Sequence, residues 1–204
     1  MQTHLKNNLE YLTEIQLESQ QIFNGEFINV KQDTVLLPDK TQAIREYITH
    51  PGASVIVAVT ADKQIIMEYQ YRYAVKQLML ELPAGKLEID EDPKECAKRE
   101  LLEETGYSGN NWTYLGTTLP CIGYCNEKMV YYLATELSYS KPNLDAGEFL
   151  ETVTLPLSEI YELIYTNQIT DNKTITGIML YQGYLHKNTH ASLLNSDKAK
   201  ILAK

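Results

Sequence analysis

The order of apolar and polar residues along the chain predicts three neighbouring β-strands in the middle of the sequence. Residues 54–60 (SVIVAVT) are almost entirely apolar, which is typical of a strand that is buried on both faces. A short turn separates this run from a second run at residues 64–71. A third run, residues 78–82, leads into Pro83. We therefore expect a sheet in which residues 54–60 form the central strand.

The same patterns predict further elements on both sides of this centre. Residues 27–37 and 42–49 read as a β-hairpin or small sheet. Apolar residues at roughly helical spacing near the N-terminus favour a short amphipathic helix or a partly ordered arm, and they are Leu5, Leu9, Leu12 and Ile15. The later elements are strands at residues 112–118, 129–135 and 152–155 and helices at residues 158 to about 167 and about 171 to 186.

This order of elements predicts a mixed α/β (α+β) fold, with a mixed sheet between helices. Residues 1–50 form an N-terminal arm and β region, residues 51–190 form the main domain, and residues 191–204 form a C-terminal tail. The length and the hydrophobic content of 44% are sufficient for one domain with its own core.

A helix in the middle of the main domain has clear sequence signals at both ends. Asp92 is a favourable N-cap, Pro93 fits the first helical position, and Glu95 stands three residues after the cap. Gly106 fits the position after the helix, where the left-handed conformation is easy for glycine. The helix is predicted from residue 93 to about 105.

Three carboxylates, Glu100, Glu103 and Glu104, lie on or near one face of this predicted helix. Like charges at this spacing repel each other by roughly 0.2–0.5 kcal/mol per pair on a solvated helix, so such a cluster is tolerable on an ordinary surface. The cluster alone does not distinguish a solvated face from a metal site.

Charge excludes one class of function. The formal net charge is −9 and the pI is about 5.0, whereas sequence-independent binding of nucleic acid phosphates needs a basic face.

The sequence has no basic start followed by an apolar run and no stretch of eighteen apolar residues. We therefore expect neither a signal peptide nor a membrane span, and we expect the protein to be cytoplasmic. Cys96, Cys121 and Cys125 lack the paired spacing of a zinc site and are expected to be reduced and structural.

The helix belongs to a longer pattern. Gly85 is followed after five residues by Glu91, and after seven more by residues 99–107, RELLEETGY. This spacing resembles the Nudix box at every fixed position, and nine specified positions over twenty-three residues make a chance match improbable. By this resemblance the chain is identified as a Nudix hydrolase, a metal-dependent enzyme that cleaves the pyrophosphate of a nucleoside-diphosphate derivative.

The resemblance implies a Mg²⁺ or Mn²⁺ site, and carboxylates are the hard oxygen ligands that these ions prefer. Glu100 and Glu104 are implied as direct ligands, Glu103 as a direct or water-mediated ligand that also belongs to the catalytic set, and the Ala84 carbonyl as a backbone ligand.

Other residues of the pattern have supporting or catalytic roles by the same resemblance. Arg99 and Glu91 are implied as an internal ion pair, and Gly85 lets the loop backbone turn close to the metal. The general base is expected in the acidic loop at residues 145–151, with Glu148 as the first candidate and Glu151 as the second.

Resemblance beyond the box covers roughly residues 22–185 and indicates the ADP-ribose pyrophosphatase branch of the family. It rests on residues 70–75 and 80–88, with further similarity at residues 33–39 and in Asp171-Asn172-Lys173-Thr174. This branch typically forms homodimers in which the N-terminal β region packs across onto the partner, and the substrate lies where the subunits meet. A swapped N-terminal region and a homodimer are therefore expected.

Five residues are candidates for substrate binding. Arg72 is expected to hold the diphosphate, and Arg45 to hold phosphate or structure the interface; a surface salt bridge is the alternative for each. Phe27 is a candidate for stacking on adenine, with a core or interface role as the alternative. Glu81 and Glu127 complete the set.

One departure from the branch leaves the substrate open. Related enzymes carry Ser-Pro-Gly about fifteen residues after the box, and here Ile122 replaces that proline although Gly123 and Glu127 fit and Pro120 lies two residues early. The leading hypothesis is hydrolysis of ADP-ribose to AMP and ribose 5-phosphate. GDP-mannose or another nucleoside-diphosphate sugar is the alternative, and an 8-oxo-dGTP hydrolase or a non-catalytic ADP-ribose-binding regulatory module is less favoured.

Overall fold

The computed structural model describes residues 9–202, with side chains for residues 9–189, and the chain divides into two compact units. One unit contains the residues up to His50 together with Cys121–Glu127. The other contains Pro51–Pro120 and the residues from Lys128 onward. No helix within residues 9–202 is long and apolar enough to cross a membrane.

The first unit is built on an antiparallel sheet of three strands in the order β1-β2-β3. The strands are β1 (Ile15–Asn24), β2 (Asn29–Leu36) and β3 (Gln42–Thr49). β2 lies within the predicted run at residues 27–37, and β3 matches the predicted run at residues 42–49. The loop Cys121–Glu127 pairs with the end of β3, since the Ile48 amide donates to the Tyr124 carbonyl at 2.8 Å.

The N-terminal helix expected from apolar spacing is wrong over its described part. A single 3-10 turn spans Glu10–Leu12, and Ile15 begins β1 instead; Leu5 lies outside the described residues. Leu9 offers no side-chain hydrogen bond that would cap a helix, whereas residues 15–24 find a continuous partner in β2. Pairing with a neighbouring strand therefore prevails over the helical spacing of a few leucines.

The second unit contains two sheets and three helices. A four-stranded sheet has the order β7-β4-β9-β8, with β4 and β9 parallel, and a three-stranded antiparallel sheet has the order β10-β5-β6. The elements are β4 (Ala53–Ala58), β5 (Gln64–Arg72), β6 (Gln77–Glu81), β7 (Ala84–Lys86), α1 (Pro93–Thr105), β8 (Tyr107–Thr118), β9 (Met129–Tyr139), β10 (Leu150–Pro156), α2 (Leu157–Tyr165) and α3 (Asn172–Leu202).

The central strand β4 has helices on both of its faces. Val55 and Val57 lie in one buried cluster with residues of α2 and α3, whereas Ile56 and Ala58 lie in a second cluster with Ala97 and Leu101 of α1. Because successive side chains of a strand point to opposite faces, the strand is covered on both sides. The mixed sandwich predicted from the sequence is confirmed.

The ends of α1 follow the predicted signals. The Asp92 carboxylate accepts a hydrogen bond from the Lys94 amide at 2.9 Å, and Pro93 occupies the first turn. Gly106 has a φ of 73°, and a Cβ built there would lie 2.5 Å from the Ser140 carbonyl oxygen, so that glycine is required for both reasons.

Several predicted elements differ in extent from the structure: β8 begins at Tyr107 and not at residue 112, and β9 ends at Tyr139 and not at residue 135. α3 continues to Leu202, so that most of the tail expected at residues 191–204 has a helical backbone. The three-residue strand β7 was not predicted, because its pairing with β4 rather than its own composition makes it a strand.

Candidate active site

The short strand β7, which precedes α1, lies directly against the carboxylate of Glu100 on that helix. A Cβ built on Gly85 would lie 1.8 Å from the Cδ and Oε1 atoms of Glu100. Only glycine therefore allows the backbone of β7 to approach this carboxylate so closely. Ala84 precedes Gly85 on the same strand and is half-buried.

Arg99 connects the loop to the acidic side of α1. Its guanidinium donates to both oxygens of Glu91, at 2.9 and 3.0 Å, to Glu100 at 2.7 Å and to Glu103 at 3.2 Å. The hydrogen bonds from Arg99 lower the pKa of Glu91 to about 2. Arg99 and Glu91 thus form an ion pair that ties the loop to the helix, and Glu103 points to Arg99.

Glu104 and Glu68 are buried carboxylates without hydrogen-bond partners. Glu104 is 4% exposed and its Oε2 atom has no partner, and Glu68 is fully buried with both oxygens unpartnered. Burial raises the pKa of Glu104 well above its usual value, and the charges of Glu68, Glu100 and Glu148 raise it further. Burial also raises the pKa of Glu68 to about 8, although the charge of Lys173 opposes this shift.

Arg72 and Glu81 lie together with Lys173, which the sequence indicated only as part of the segment at residues 171–174 and not as a site residue. Arg72 donates to both oxygens of Glu81, from Nε at 2.9 Å and from Nη2 at 2.7 Å. Lys173, at the start of α3, also donates to Glu81, and it contacts Asp171 at 3.0 Å. Burial opposes ionisation of Glu81, but Arg72 and Lys173 more than offset it and lower its pKa.

The two candidates for the general base lie in different surroundings. Glu148 is half-buried, and its Oε1 accepts a hydrogen bond from Gln70 Nε2 at 3.3 Å. Its charge contributes to the raised pKa values of Glu68, Glu100 and Glu104, which places it near these carboxylates. Glu151 is exposed on β10 and lines an open pocket that Glu104 also lines.

The remaining substrate candidates belong to the first unit. Arg45 donates to both oxygens of Glu14, at 2.9 and 2.6 Å, in an exposed ion pair. Phe27 is exposed, with its ring centroid 6.2 Å from that of His50. The Glu127 carboxylate lies 3.5 Å from Nδ1 of the same histidine.

The loop around Ile122, where the sequence differs from the ADP-ribose pyrophosphatase branch, forms a helical turn. The amides of Tyr124 and Cys125 both donate to the Cys121 carbonyl, at 3.1 and 2.9 Å. Ile122 lies in this turn and is exposed. An apolar side chain therefore stands at the surface where related sequences have proline.

The carboxylates of the second unit fit a divalent cation chemically. Within the described residues, no three acidic, histidine or cysteine side chains already form a coordination cluster. Nevertheless, Glu104 presents an unpartnered buried oxygen, and Glu100 lies against the glycine backbone beside Ala84. A hard cation near these groups would relieve both the missing contacts and the mutual repulsion of the carboxylates.

The three cysteines should differ sharply in reactivity. Cys96 is fully buried, its Sγ lies 3.6 Å from the Gly85 carbonyl oxygen, and burial raises its pKa to about 12. Because the thiolate is the reactive form, Cys96 should resist a thiol reagent at pH 8, whereas the half-buried Cys121 and Cys125 react first. Mass spectrometry of the briefly labelled native protein, with unfolded protein as the control, would contradict this if Cys96 were modified as fast as the others.

Comparisons with known proteins agree with the fold and with the acidic pattern. The Nudix domain family matches residues 49–176, and the family described as nucleoside diphosphate sugar hydrolase N-terminal domain matches residues 14–48. A crystal structure of an ADP compounds hydrolase has a TM-score of 0.77 at 20% identity, covers 86% of this chain and 96% of that chain, and shows the fold.

Two curated relatives cover most of the chain. The methanol dehydrogenase activator of Bacillus methanolicus is 36% identical over 168 residues, 81% of this chain and 91% of the relative. The ADP-ribose pyrophosphatase of Bacillus subtilis (strain 168) is 36% identical over 176 residues, 85% of this chain and 95% of the relative. The family prediction made from residues 85–107 is confirmed: the chain belongs to the Nudix family and is a Nudix hydrolase.

Proposed function

We propose that this Nudix hydrolase cleaves the pyrophosphate of ADP-ribose to AMP and ribose 5-phosphate with the help of Mg²⁺ or Mn²⁺. The observation that carries the proposal is the buried, unpartnered carboxylate of Glu104 among the charges of Glu68, Glu100 and Glu148. Similarity to the B. subtilis ADP-ribose pyrophosphatase supports ADP-ribose as the substrate.

The metal would be held by the carboxylates of Glu100 and Glu104 and by the carbonyl of Ala84, with Glu103 contributing directly or through water. A bound divalent ion would neutralise the diphosphate and lower the pKa of a water. Arg99 keeps Glu100 oriented through its 2.7 Å hydrogen bond and holds Glu103 at 3.2 Å. Ion-pairing to Glu91 in turn keeps Arg99 in place.

Glu148 is our candidate for the base that removes a proton from the attacking water. Its carboxylate lies near the other acidic groups, and Gln70 fixes one of its oxygens while the side chain remains partly accessible. Glu151 is the second candidate because it lines a pocket with Glu104. Glu148 is favoured because its charge acts on Glu68, Glu100 and Glu104.

Arg72 is the candidate ligand for the diphosphate. Its Nε and Nη2 are used by Glu81, but within the described residues its Nη1 makes no hydrogen bond, and its side chain is 42% exposed. Because Glu81 binds one edge of the Arg72 guanidinium, the other edge is available to donate a hydrogen bond to a phosphate oxygen. Glu81 would thus act on the substrate through Arg72 and not by direct contact.

The test is turnover of ADP-ribose, GDP-mannose, other nucleotide sugars and 8-oxo-dGTP with Mg²⁺, with Mn²⁺ and without metal. Preference for ADP-ribose in the presence of metal supports the proposal. Preference for GDP-mannose would instead support the second candidate, which the exposed Ile122 at the usual proline position favours. Binding of ADP-ribose without hydrolysis of any compound would contradict both.

We also propose that the chain forms a homodimer through its first unit. All ten residues of β1 are exposed, including the apolar Ile15, Leu17, Ile22 and Phe23. Several exposed apolar side chains on one strand are typical of an interface.

Light scattering should therefore give about twice the chain mass of 23.3 kDa. The variant Leu17→Glu should shift the protein toward monomer, since it places a charge in the proposed interface. Glu18→Gln, at the next position of the same exposed strand, serves as the control and should remain dimeric. A monomeric wild-type protein at micromolar concentration would contradict the proposal.

A further inference from the structure

Glu68 is an acidic residue at a position that packing alone would fill with an apolar side chain. It lies on β5 directly after Ile65, Ile66 and Met67, and all four residues are fully buried. Both carboxylate oxygens of Glu68 are buried without a hydrogen-bond partner among the described residues. A buried carboxylate in this condition destabilises the fold unless a positive charge compensates it.

The nearest cations of the protein are already engaged. Glu81 lies directly opposite Glu68 in the pairing of β5 with β6, so two carboxylates face each other across the strands. Arg72 and Lys173 donate to Glu81, and Lys173 also pairs with Asp171. The positive charges of these two cations favour the ionised form of Glu68, but neither cation donates a hydrogen bond to it.

The strand geometry directs Glu68 to α1. Ile66 and Glu68 share one face of β5, and Ile66 packs with Ala97 and Leu101 of α1. Glu104 follows Leu101 by three residues and continues the same face of the helix. Glu68 on β5 and Glu104 on α1 therefore both follow the apolar residues through which the strand and the helix pack together. Each of these two carboxylates has at least one oxygen without a hydrogen-bond partner.

We propose that Glu68 is an additional carboxylate of the divalent-cation site, supplied by strand β5 and not by the box, and that it binds the cation together with Glu104. The inference rests on the metal-dependent function proposed above. It explains why a carboxylate persists in the centre of a buried strand and why the charges of Glu104 and Glu148 lie near it.

The test measures Mn²⁺ binding to the full-length protein by the loss of the free Mn²⁺ electron paramagnetic resonance signal. The wild-type protein should bind Mn²⁺, and Glu68→Gln should raise the Kd of the tightest site by about 10- to 100-fold. Glu162→Gln, which removes an exposed carboxylate of α2, should leave the Kd unchanged.

Thermal unfolding gives a second readout that does not depend on activity. In EDTA at a pH above about 8, where Glu68 is ionised, Glu68→Gln should have a higher Tm than the wild type because an uncompensated buried charge is gone. The rise in Tm on addition of Mn²⁺ should be smaller in this variant than in the wild type. Glu68→Met tests the same points if the buried amide introduced by Glu68→Gln perturbs the strand. Far-UV circular dichroism checks that each variant is folded.

The outcomes separate this inference from the proposed function. If the wild type binds Mn²⁺ and both Glu68 variants bind it with the same Kd, Glu68 is not part of the cation site, while the proposed function stands. If Glu104→Gln weakens Mn²⁺ binding and the Glu68 variants do not, the conclusion is the same. If the wild type binds no Mn²⁺, both the inference and the metal-dependent function are wrong.

Discussion

Substitution of Glu104 by glutamine is expected to reduce kcat by about 10²- to 10³-fold, the range found when one preorganised electrostatic group of an active site is removed. The substitution keeps the shape of the side chain but removes the charge that would hold a divalent cation. It should not unfold the protein, because glutamine has nearly the same shape and because the Oε2 atom of Glu104 has no hydrogen-bond partner to lose.

The measurement is steady-state hydrolysis of ADP-ribose at saturating Mg²⁺, together with thermal unfolding in EDTA. Glu95→Gln is the matched control, since Glu95 is an exposed carboxylate of the same helix that pairs only with Lys98 among the described residues. Unchanged turnover in Glu104→Gln would show that the assigned metal site is wrong. A large loss of Tm would instead assign Glu104 a structural role.

The part of the fold that could be predicted is the part with local causes. The ends of α1 follow from Asp92, Pro93 and Gly106, each of which acts on its own turn of backbone. β1 and β7 were missed because each is a strand only through its pairing with another segment, β2 or β4. A sequence pattern contains no direct record of such pairing.

The same distinction applies to the candidate site. The box could be recognised because its residues are close in sequence and fold onto one loop and one helix. Glu68 and Lys173 were not recognised as site residues, because their surroundings come from distant segments: Lys173 contacts Glu81 from 92 positions away. An acidic residue within the apolar run at residues 65–69 was the available signal for Glu68, and its departure from strand patterning was visible in the sequence.

The lysine at the start of α3 leads to the largest expected loss of stability. Lys173→Met should lower the free energy of unfolding by about 3–5 kcal/mol, because Glu81 and Asp171 would lose a buried cation. For a chain of this length the corresponding fall in Tm is roughly 6–20 °C. The remaining partner of Glu81, Arg72, is partly exposed and does not reach Asp171 by any hydrogen bond in the described residues.

The loss of stability in Lys173→Met should be larger at neutral pH than in acid. The pKa values of Glu81 and Asp171 are lowered in the folded protein, against the effect of burial, by contacts that include Lys173. Their stabilising contribution is therefore present above their usual pKa values, 4.5 and 3.8, and is lost as the pH falls through the lower folded values. The difference in stability between wild type and Lys173→Met should be full at neutral pH and should narrow in acid.

Urea unfolding at pH 7 and at about pH 3, below both usual pKa values, measures both effects. Lys187→Met is the control, since Lys187 is an exposed lysine of the same helix. The double variant Lys173→Met, Glu81→Gln should be less destabilised than the sum of the two single variants, because the carboxylate that needs the lysine is also gone. Additive effects, or a loss in Lys173→Met no larger than that in Lys187→Met, would mean that the buried ion pair does not stabilise the fold. In that case the position of Arg72 would depend on Glu81 alone and not on α3.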